Sequence, residues 1–454
     1  MKLDTLLQPE SLAVVGVSLS NPFNPANVIY HKNNLRYDAR TYCVNPQGGT
    51  LFGDPVYKSI SQVPGKIDCA VLSIRADLVP AAIEECIENE VGGAIIISGG
   101  FAETGRTDLQ DRVTALAHEH NFPVIGPNCL GIFSPPAIDT FFLPSERLVT
   151  PRKGSVALLS QSGGILVDMM IKLTQEGVGI SRAVSIGNKA VIDEIDLLFY
   201  LDSDPKTSVI GLYLEGFSEG RGRDFVTFME QASRPVVLLK AGKTPGGSRA
   251  VSSHTASIAG DYPVFREVIR QSGAIEAQNE AEFVSYCESL SCCNETTVEK
   301  VCIITASGGH GAMASDGCFN AGIEVAQIPG DDIQELQPQL SKSVQAIASL
   351  NNPIDLTGSA GDNDFYTATR FFLEKDYVDA VILLLLPYLP AISTDIGARI
   401  ASVAMQYNKP VITYMPHVDR YVMFIEGFES NGLAVAHSVE GAVHMVRAMN
   451  RRRS

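Results

Sequence analysis

Short β-branched runs that end in Gly, Ser, Asn or Pro alternate with longer helical stretches along the whole chain. Parallel strands need a crossover connection, so each alternation reads as a strand followed by a helix, and the chain as an α/β protein with parallel sheets. In the first third the runs are "SLAVVGV", "TYCVNP", "CAVLSI", "GAIIIS" and "FPVIGPN". In the second they are "GSVALLS", "ISRAVSIGN", "SVIGLYLEG" and "RPVVLLKAG", and in the third "EKVCIITA", "IEVAQI", "DAVILLLLP" and "KPVITYM". A chain of 454 residues exceeds one ordinary core and fits about three domains. The stretches 134–153 and 289–300 read as linkers, which predicts Rossmann-like or flavodoxin-like domains over 1–133, 151–290 and 298–454.

The second and third units resemble each other. "LLSQSGGILVDMM" matches "IITASGGHGAMAS" on Ser162-Gly163-Gly164 and Ser307-Gly308-Gly309; "EIDLL" returns as "PIDLT", "VIGLYLEG" as "VILLLLPY" and "RPVVLL" as "KPVITY". Landmarks repeated in one order mark an internal duplication. Glu215 stands at a strand end where the third unit has Pro387, and the loop carrying His254 corresponds to "MPHVDRY". The third unit is therefore predicted to be a degenerate copy, with the chemistry kept in the second.

Lys and Arg number 35 against 51 Asp and Glu, a formal net charge of −16, which argues against a nucleic-acid partner held through its phosphates. The basic tail "NRRRS" reads as a solvated terminus. The longest apolar run, "AVILLLLP", is far short of the ~20 residues a spanning helix needs, so no membrane association is expected. Nine cysteines without a CxxC pair, and no secretory leader, predict reduced thiols and a cytoplasmic location. Zinc ligation is a poor reading of that pattern, and no metal site is predicted.

In open α/β sheets ligands gather beyond the carboxyl ends of the strands, where helix N-termini present free N–H groups. "SVALLS-QSGG-ILVDMMIKL" is such a place. Its turn through Gln161, Ser162, Gly163 and Gly164 would form an anion nest for phosphate; a plain strand-to-helix turn is the alternative. The first unit opens with "VVGVSLSNPFN", which keeps only Gly16 of G-x-G-x-x-G and so gives weak support to a redox dinucleotide. Ser18 and Asn21 could instead serve another phosphate-bearing ligand. Further strand ends offer Asn45-Pro46, Ser73-Ile74-Arg75, "SGGFAETG" with Ser98, Gly99 and Gly100, and "GPNCLG" with Asn128. Together they suit an adenine nucleotide, with Arg75 as a phosphate partner, although each alone is an ordinary turn. "KAGKT" (240–244) would need Gly at 237 to be a Walker loop and has Val237.

His254 lies in "AVSSHTASIAG", after "GKTPGGSR", a segment too poor in large apolar side chains to anchor itself in a core. A neutral imidazole can act as base, metal ligand or covalent carrier. The segment supplies no second ligand at metal spacing and no G-x-S-x-G elbow, which leaves a carrier of phosphoryl groups on a mobile loop. Glu215, after "VIGLYL", would accept a hydrogen bond from one ring nitrogen and leave the other to attack phosphorus. A backbone-pairing turn residue and a surface loop histidine are the plain alternatives for this pair. His310 in "SGGHGAM" is the lesser candidate, because it sits in a Gly-rich helix start and has no matching glutamate; His118 and His120 read as the C-terminal turn of a helix.

Over nearly its whole length the chain resembles the alpha subunit of nucleoside-diphosphate-forming acyl-CoA synthetases, specifically ADP-forming acetyl-CoA synthetase. The first two units are also similar to the succinyl-CoA synthetase alpha subunit. The motifs that carry this are "VVGVS", "NP", "ISGGFAETG", "GPNCLG", "LSQSGG", "YLEGF" and "SHTAS". The resemblance implies a reversible ligase reaction, in which acyl-CoA, phosphate and ADP give carboxylic acid, CoA and ATP through acyl phosphate and a phosphohistidine. It implies that the "VVGVS" and "SGGFAE" regions, Val17 included, bind coenzyme A. It makes Gln161–Gly164 the phosphate site, Glu215 the support of the phosphohistidine, and His254 the carrier. ADP/ATP and Mg2+ would be bound mainly by an ATP-grasp beta subunit, in an α2β2 assembly, with acetyl-CoA and phosphate as small-molecule substrates. Two other classes stay open: a non-catalytic CoA- or nucleotide-binding regulatory protein, and an acyltransferase or oxidoreductase using the first unit's ligand directly.

Overall fold

The computed structural model describes residues 1–218, 220–254, 261–293 and 297–450, and of 252–254 the main chain. Three sheets organise it, and each contains the same winding. In the first, β1 (Ser11–Val15) lies between β2 (Arg40–Val44) and β3 (Cys69–Leu72), followed by β4 (Ala94–Ile96) and β5 (Val124–Ile125), giving the order 2-1-3-4-5. All five residues of β1 are buried, as a strand covered on both faces requires, and its pairings with β2 and β3 are parallel. An antiparallel hairpin, Gly49–Leu51 with Asp54–Tyr57, extends the β2 edge. Helix α1 (Pro25–Arg36) starts at Asn24, whose side chain accepts from the Ala26 N–H.

The second sheet is built from β6 (Lys153–Ser160), β7 (Ile180–Ser185), β8 (Val209–Leu214), β9 (Val236–Lys240) and β10 (Ile275–Ala277), with β6 between β7 and β8. Its helices include α2 (Gly163–Gln175), α3 (Glu194–Ser203), α4 (Pro245–His254) and α5 (Tyr262–Ser272). Beyond β7 the strands Gly131–Ser134 and Ile138–Asp139 add in antiparallel fashion. Sequence reading had put these two strands at the end of the first unit and in the linker 134–153. They belong to the second sheet because β7 would otherwise leave Ala183 to Ser185, all buried, as an open edge. Residues Met1–Thr174 and Gly179–Glu276 form one compact unit.

Residues Ala277–Ser454, with Gln175–Val178, form the other compact unit. Its sheet has β11 (Lys300–Thr305) between β12 (Glu324–Val325) and β13 (Ala380–Leu384), then β14 (Val411–Tyr414) and β15 (Val435–Ala436). The short strand Ile354–Asp355 also pairs with β11. Strand order thus repeats between the second and third sheets, as the repeated landmarks predict. Helix α6 (Gly308–Ala321) follows β11 just as α2 follows β6. The linker expected at 289–300 is shorter than read, since the helix Glu280–Cys292 runs into it, burying Phe283, Tyr286, Cys287 and Leu290 behind the Asn279 cap. All nine cysteines are free thiols.

One buried ion pair ties the start of the chain to the second sheet. Arg182, on β7, donates through Nε to Asp204 at 2.6 Å and through its guanidinium to the Leu7 carbonyl at 3.0 Å and the Ser134 hydroxyl. Burial opposes ionisation of Asp204, yet its hydrogen bonds with Arg182 hold the carboxyl below its usual range. That contribution to stability is present above the unfolded-state value and is lost as pH falls through the folded one. Arg182→Ala, which leaves Asp204 buried and unpaired, is expected to cost about 3–5 kcal/mol. Breaking the exposed pair Arg75–Asp77 by Asp77→Ala should leave the urea midpoint essentially unchanged. Urea unfolding of the two variants measures the difference.

Candidate active site

A sheet of order 2-1-3-4-5 turns its crossovers to opposite faces at the first strand, which opens a crevice between the carboxyl ends of strands 1 and 3. In the second sheet those ends belong to β6 and β8, and a cavity of about 620 Å3 lies there. Gln161 to Gly164 and Glu215 line it. Ile97, Asn128, Cys129 and Leu130, from the first sheet's loops, and Phe142 and Leu143 line it as well. The structure thus brings the predicted phosphate loop, Glu215 and Asn128 together.

Within this cavity the four loop residues have different tasks. The Gln161 side chain, 5% exposed, is a clamp: its carbonyl accepts from the N–H groups of Glu215 at 2.5 Å and Gly216 at 3.2 Å, and its amide donates to the Gly216 carbonyl at 2.8 Å. It also donates to Glu194 at 3.3 Å. Ser162 precedes α2, and its hydroxyl accepts from the Ile165 N–H at 3.4 Å. A Cβ at Gly163 would lie 2.8 Å from Leu130, so that glycine is needed for close packing. A Cβ at Gly164 would meet nothing within 4 Å. Packing does not ask for glycine there, and its absence of a side chain leaves the first turn of α2 open to an anion.

Glu215 is 8% exposed, and among the described residues its Oε2 has no hydrogen-bond partner. Its main chain, by contrast, is held from several sides. Besides Gln161, Lys189 donates to the Gly216 carbonyl at 2.7 Å while paired with Glu194 at 2.9 Å, and Lys240 donates to the Glu215 carbonyl at 2.6 Å. Burial, followed by the Glu215 carboxylate, pushes the neighbouring Tyr213 phenol up to about 12. Burial likewise raises the Glu194 carboxyl, against the pull of Lys189. A buried carboxylate oxygen without a donor is costly, and the residue that carries it lines the cavity. It can accept a hydrogen bond from a group entering that space.

The remaining predicted residues lie along the carboxyl edge of the first sheet. Gly16 has φ +103°, and a Cβ there would sit 2.3 Å from the Ser73 carbonyl oxygen, so the approach of β1 to β3 demands glycine. Val17 is buried and Ser73 donates its N–H to Val15 at 3.0 Å. Asn27 accepts from the Ser18 N–H at 2.7 Å and donates to the Asn21 carbonyl at 3.1 Å, while the Ser18 hydroxyl accepts from the Asn21 N–H at 3.1 Å. Asn45, beside the exposed Pro46, donates to the Val17 carbonyl at 2.7 Å. Ser98 donates to the Ile74 carbonyl, and the Gly100 N–H is taken by Glu103 at 2.5 Å. A Cβ at Gly99 would stand 3.1 Å from Glu103 and 3.2 Å from Asn128. Against the effect of burial, Asn188 and the N–H groups of Gly100 and Phe101 hold Glu103 below its usual value. Arg75, its side chain 79% exposed, is paired with Asp77 at 2.6 Å.

The segment that carries His254 differs from expectation. Sequence reading made it a mobile loop, and the structure makes Pro245–His254 the helix α4. Thr244 accepts from the Gly247 N–H at 3.1 Å and Pro245 fills the first helical position, a start signal that outweighs the two following glycines. The His254 imidazole and 255–260 lie outside the described residues. His310 stands in the first turn of α6, its Nδ1 3.0 Å from the Ser307 hydroxyl. His118 falls in the last turn of the helix Thr107–Glu119, as read.

Residues that sequence reading missed are chiefly the clamps: Lys189, Glu194, Lys240, Asn27, Glu103 and Asn188. A lysine ending the apolar run "VVLLK" was a usable signal; the others act across distant segments. A second cavity of about 320 Å3 is lined by Lys32, Arg36, Tyr37 and Asp139. Its buried Lys32 is satisfied by Asp139 at 2.8 Å and by the Phe141 carbonyl, a structural ion pair away from the strand ends.

Three family models match the chain: a CoA binding domain over 10–135, a succinyl-CoA ligase like flavodoxin domain over 153–290, and a Ligase-CoA domain over 301–419. Fold and cavity therefore define a CoA-ligase type of protein. Acetate–CoA ligase (ADP-forming) I of Archaeoglobus fulgidus is 36% identical over 388 residues, which are 85% of this chain and 55% of that protein. The chain thus spans about half the length of that relative. The alpha subunit of acetate–CoA ligase (ADP-forming) I of Pyrococcus furiosus is 31% identical over 99% of this chain and 97% of its own. The dinucleotide forming acetyl-coenzyme A synthetase 1 of Ca. Korarchaeum cryptofilum, solved in complex with phosphate and ADP, superposes with a TM-score of 0.90 at 32% identity, covering 99% of this chain and 96% of that one. The chain belongs to the family of ADP-forming acetate–CoA ligase alpha subunits.

The two glycines at the start of α2 should respond oppositely to a methyl group. Gly163→Ala is expected to destabilise by about 1–3 kcal/mol through overpacking against Leu130. Gly164→Ala should be neutral or stabilising by roughly 0.5–1 kcal/mol. Thermal melts of both variants decide.

Proposed function

We propose that this chain is the catalytic alpha half of an ADP-forming acyl-CoA synthetase, acetyl-CoA being the first substrate to try. Its domains are a CoA-binding domain over 1–133, whose last residues Gly131–Phe133 pair into the second sheet, a ligase and phosphohistidine domain over 151–290, and a degenerate third domain over 298–454. The observation that carries the reading is the unpartnered Oε2 of Glu215, on the same cavity as the open helix start at Gly164. The helix start is suited to an anion, and the carboxylate to one ring N–H of an imidazole whose other nitrogen must attack it.

In the proposed sequence phosphate is held at the Gln161–Gly164 turn by the N–H groups of Gly163 and Gly164, the Ser162 N–H being taken by the Ser160 hydroxyl at 3.0 Å. A phosphate oxygen attacks the thioester carbonyl. The C–S bond breaks and CoA leaves as thiolate, giving acyl phosphate. One ring nitrogen of His254 then attacks phosphorus, and the P–O bond breaks to release the carboxylate. Glu215 accepts the hydrogen bond of the other ring N–H, which fixes the tautomer and offsets the positive charge that develops on the ring. ADP attacks the phosphohistidine at a site on an ATP-grasp beta subunit, where Mg2+ would bind as well. CoA would lie along Gly16 to Ser18, Asn21, Pro46, Ser73 to Arg75 and Ser98 to Gly100, reaching Asn128 with its thiol end. An α2β2 assembly and a cytoplasmic setting complete the reading. Nine free thiols, and no helix among the described residues long and apolar enough to cross a membrane, agree with it.

With the beta subunit supplied, labelled ATP should give an acid-labile, base-stable adduct on this chain. His254→Ala should abolish the adduct and net ATP formation while still allowing slow acyl phosphate formation from acyl-CoA. Glu215→Gln should keep CoA affinity and lower the adduct level by about tenfold or more. A purely regulatory nucleotide-binding protein would give no adduct at all.

A further inference from the structure

Lys240 is the last residue of β9, 5% exposed, after four buried apolar residues. Its ammonium donates to the Glu215 carbonyl at 2.6 Å and to the carbonyl of Ala241, and it lies 5.4 Å from the centroid of the Phe265 ring. These two carbonyls are the main-chain roots of the two groups in the proposed transfer. Glu215 follows β8, and Ala241 opens the segment that leads through Lys243 into α4 and His254. The strand ladder stops here, its last pair being Leu214 with Lys240, and one further bond joins the Ala241 N–H to the Leu214 carbonyl at 3.0 Å. Beyond that bond the ammonium is the cross-link.

An ammonium in so enclosed a place is a costly way to join two carbonyls. Burial pushes Lys240 down to about 8, with Glu215 and Glu276 pulling upward and Lys243 pressing downward. Among the described residues these are the charged groups that face it, from the end of β8, from β10 and from the start of the α4 segment. Phe265 covers it from α5. A methionine would fill the same space without that cost, so packing alone does not explain the charge.

We propose that Lys240 is a positioning residue: its ammonium locks the main chain of Glu215 to the root of the His254 helix, and so sets the aim of the carboxylate at the imidazole. This rests on the phosphohistidine reading above. In the full chain with its beta subunit, Lys240→Met should leave the KM for CoA within about twofold and lower kcat and the rate of adduct formation by about tenfold or more. In the native protein adduct formation should fall as pH rises through about 8, where the ammonium loses the proton it donates. Lys240→Arg, charged throughout, should recover part of the rate and lose that alkaline fall. A Lys240→Met variant with native rates, or a Lys240→Arg variant with the same alkaline fall, overturns the proposal. Hydrogen exchange at the Glu215 and Gly216 amides gives a reading that needs no phosphohistidine: exchange in Lys240→Met should be faster by about tenfold, and equal protection overturns the positioning role. A native chain that never takes up label would instead sink the phosphohistidine reading, and amide exchange would still judge Lys240.

Discussion

Each sheet starts its winding in the interior, with the second strand on one side of the first and the third on the other. A right-handed crossover can then reach the third strand only by passing over the opposite face from the one used for the second. The two loops that leave the first and third strands are driven apart, and the space between them is where Gly16 and Ser73 to Arg75 in the first sheet, and Gln161 to Gly164 and Glu215 in the second, come together. Topology sets the crevice before any side chain refines it.

In the second crevice the refinement follows one rule. The backbone of Glu215 and Gly216 is saturated by Gln161, Lys189 and Lys240, while the carboxylate keeps an oxygen free. Main-chain hydrogen bonds fix position, and an unsatisfied side-chain acceptor retains the ability to bind. The first crevice works differently. There the Gly100 N–H is occupied by Glu103, and the Ser18–Asn21 turn is bound internally through Asn27, so shape more than open donors is on offer, with Arg75 as the exposed cation.

Much of this was legible in the chain itself. Fully buried parallel strands must be apolar and β-branched, and their sequence runs match β1 to β9 closely. The repeated order of "SGG", "IDL" and the strand after it anticipated the shared winding of the second and third sheets. What escaped was short or nonlocal. The hairpin Gly49–Leu51/Asp54–Tyr57 turns on Phe52 and Gly53, both at positive φ, a two-residue signal hidden by a phenylalanine in a position that favours Asn or Gly. The helix at Pro245–His254 was masked by Gly246 and Gly247, although Thr244 and Pro245 announce it. Gln161 was read as a ligand for phosphate; that its amide spans two strand ends depends on the pairing of β6 with β8, which no local pattern encodes.

The helical state of Pro245–His254 changes the mechanics of any transfer that uses it. Ten residues at a 1.5 Å rise make an arm of about 15 Å that cannot be shortened or stretched without breaking hydrogen bonds. Its base is fastened at Thr244, two residues after Gly242, whose φ of +75° is a left-handed turn. A phosphoryl group carried at the tip of such an arm would be moved only by turning the whole helix about its base, so its destinations would lie at one fixed distance from Thr244.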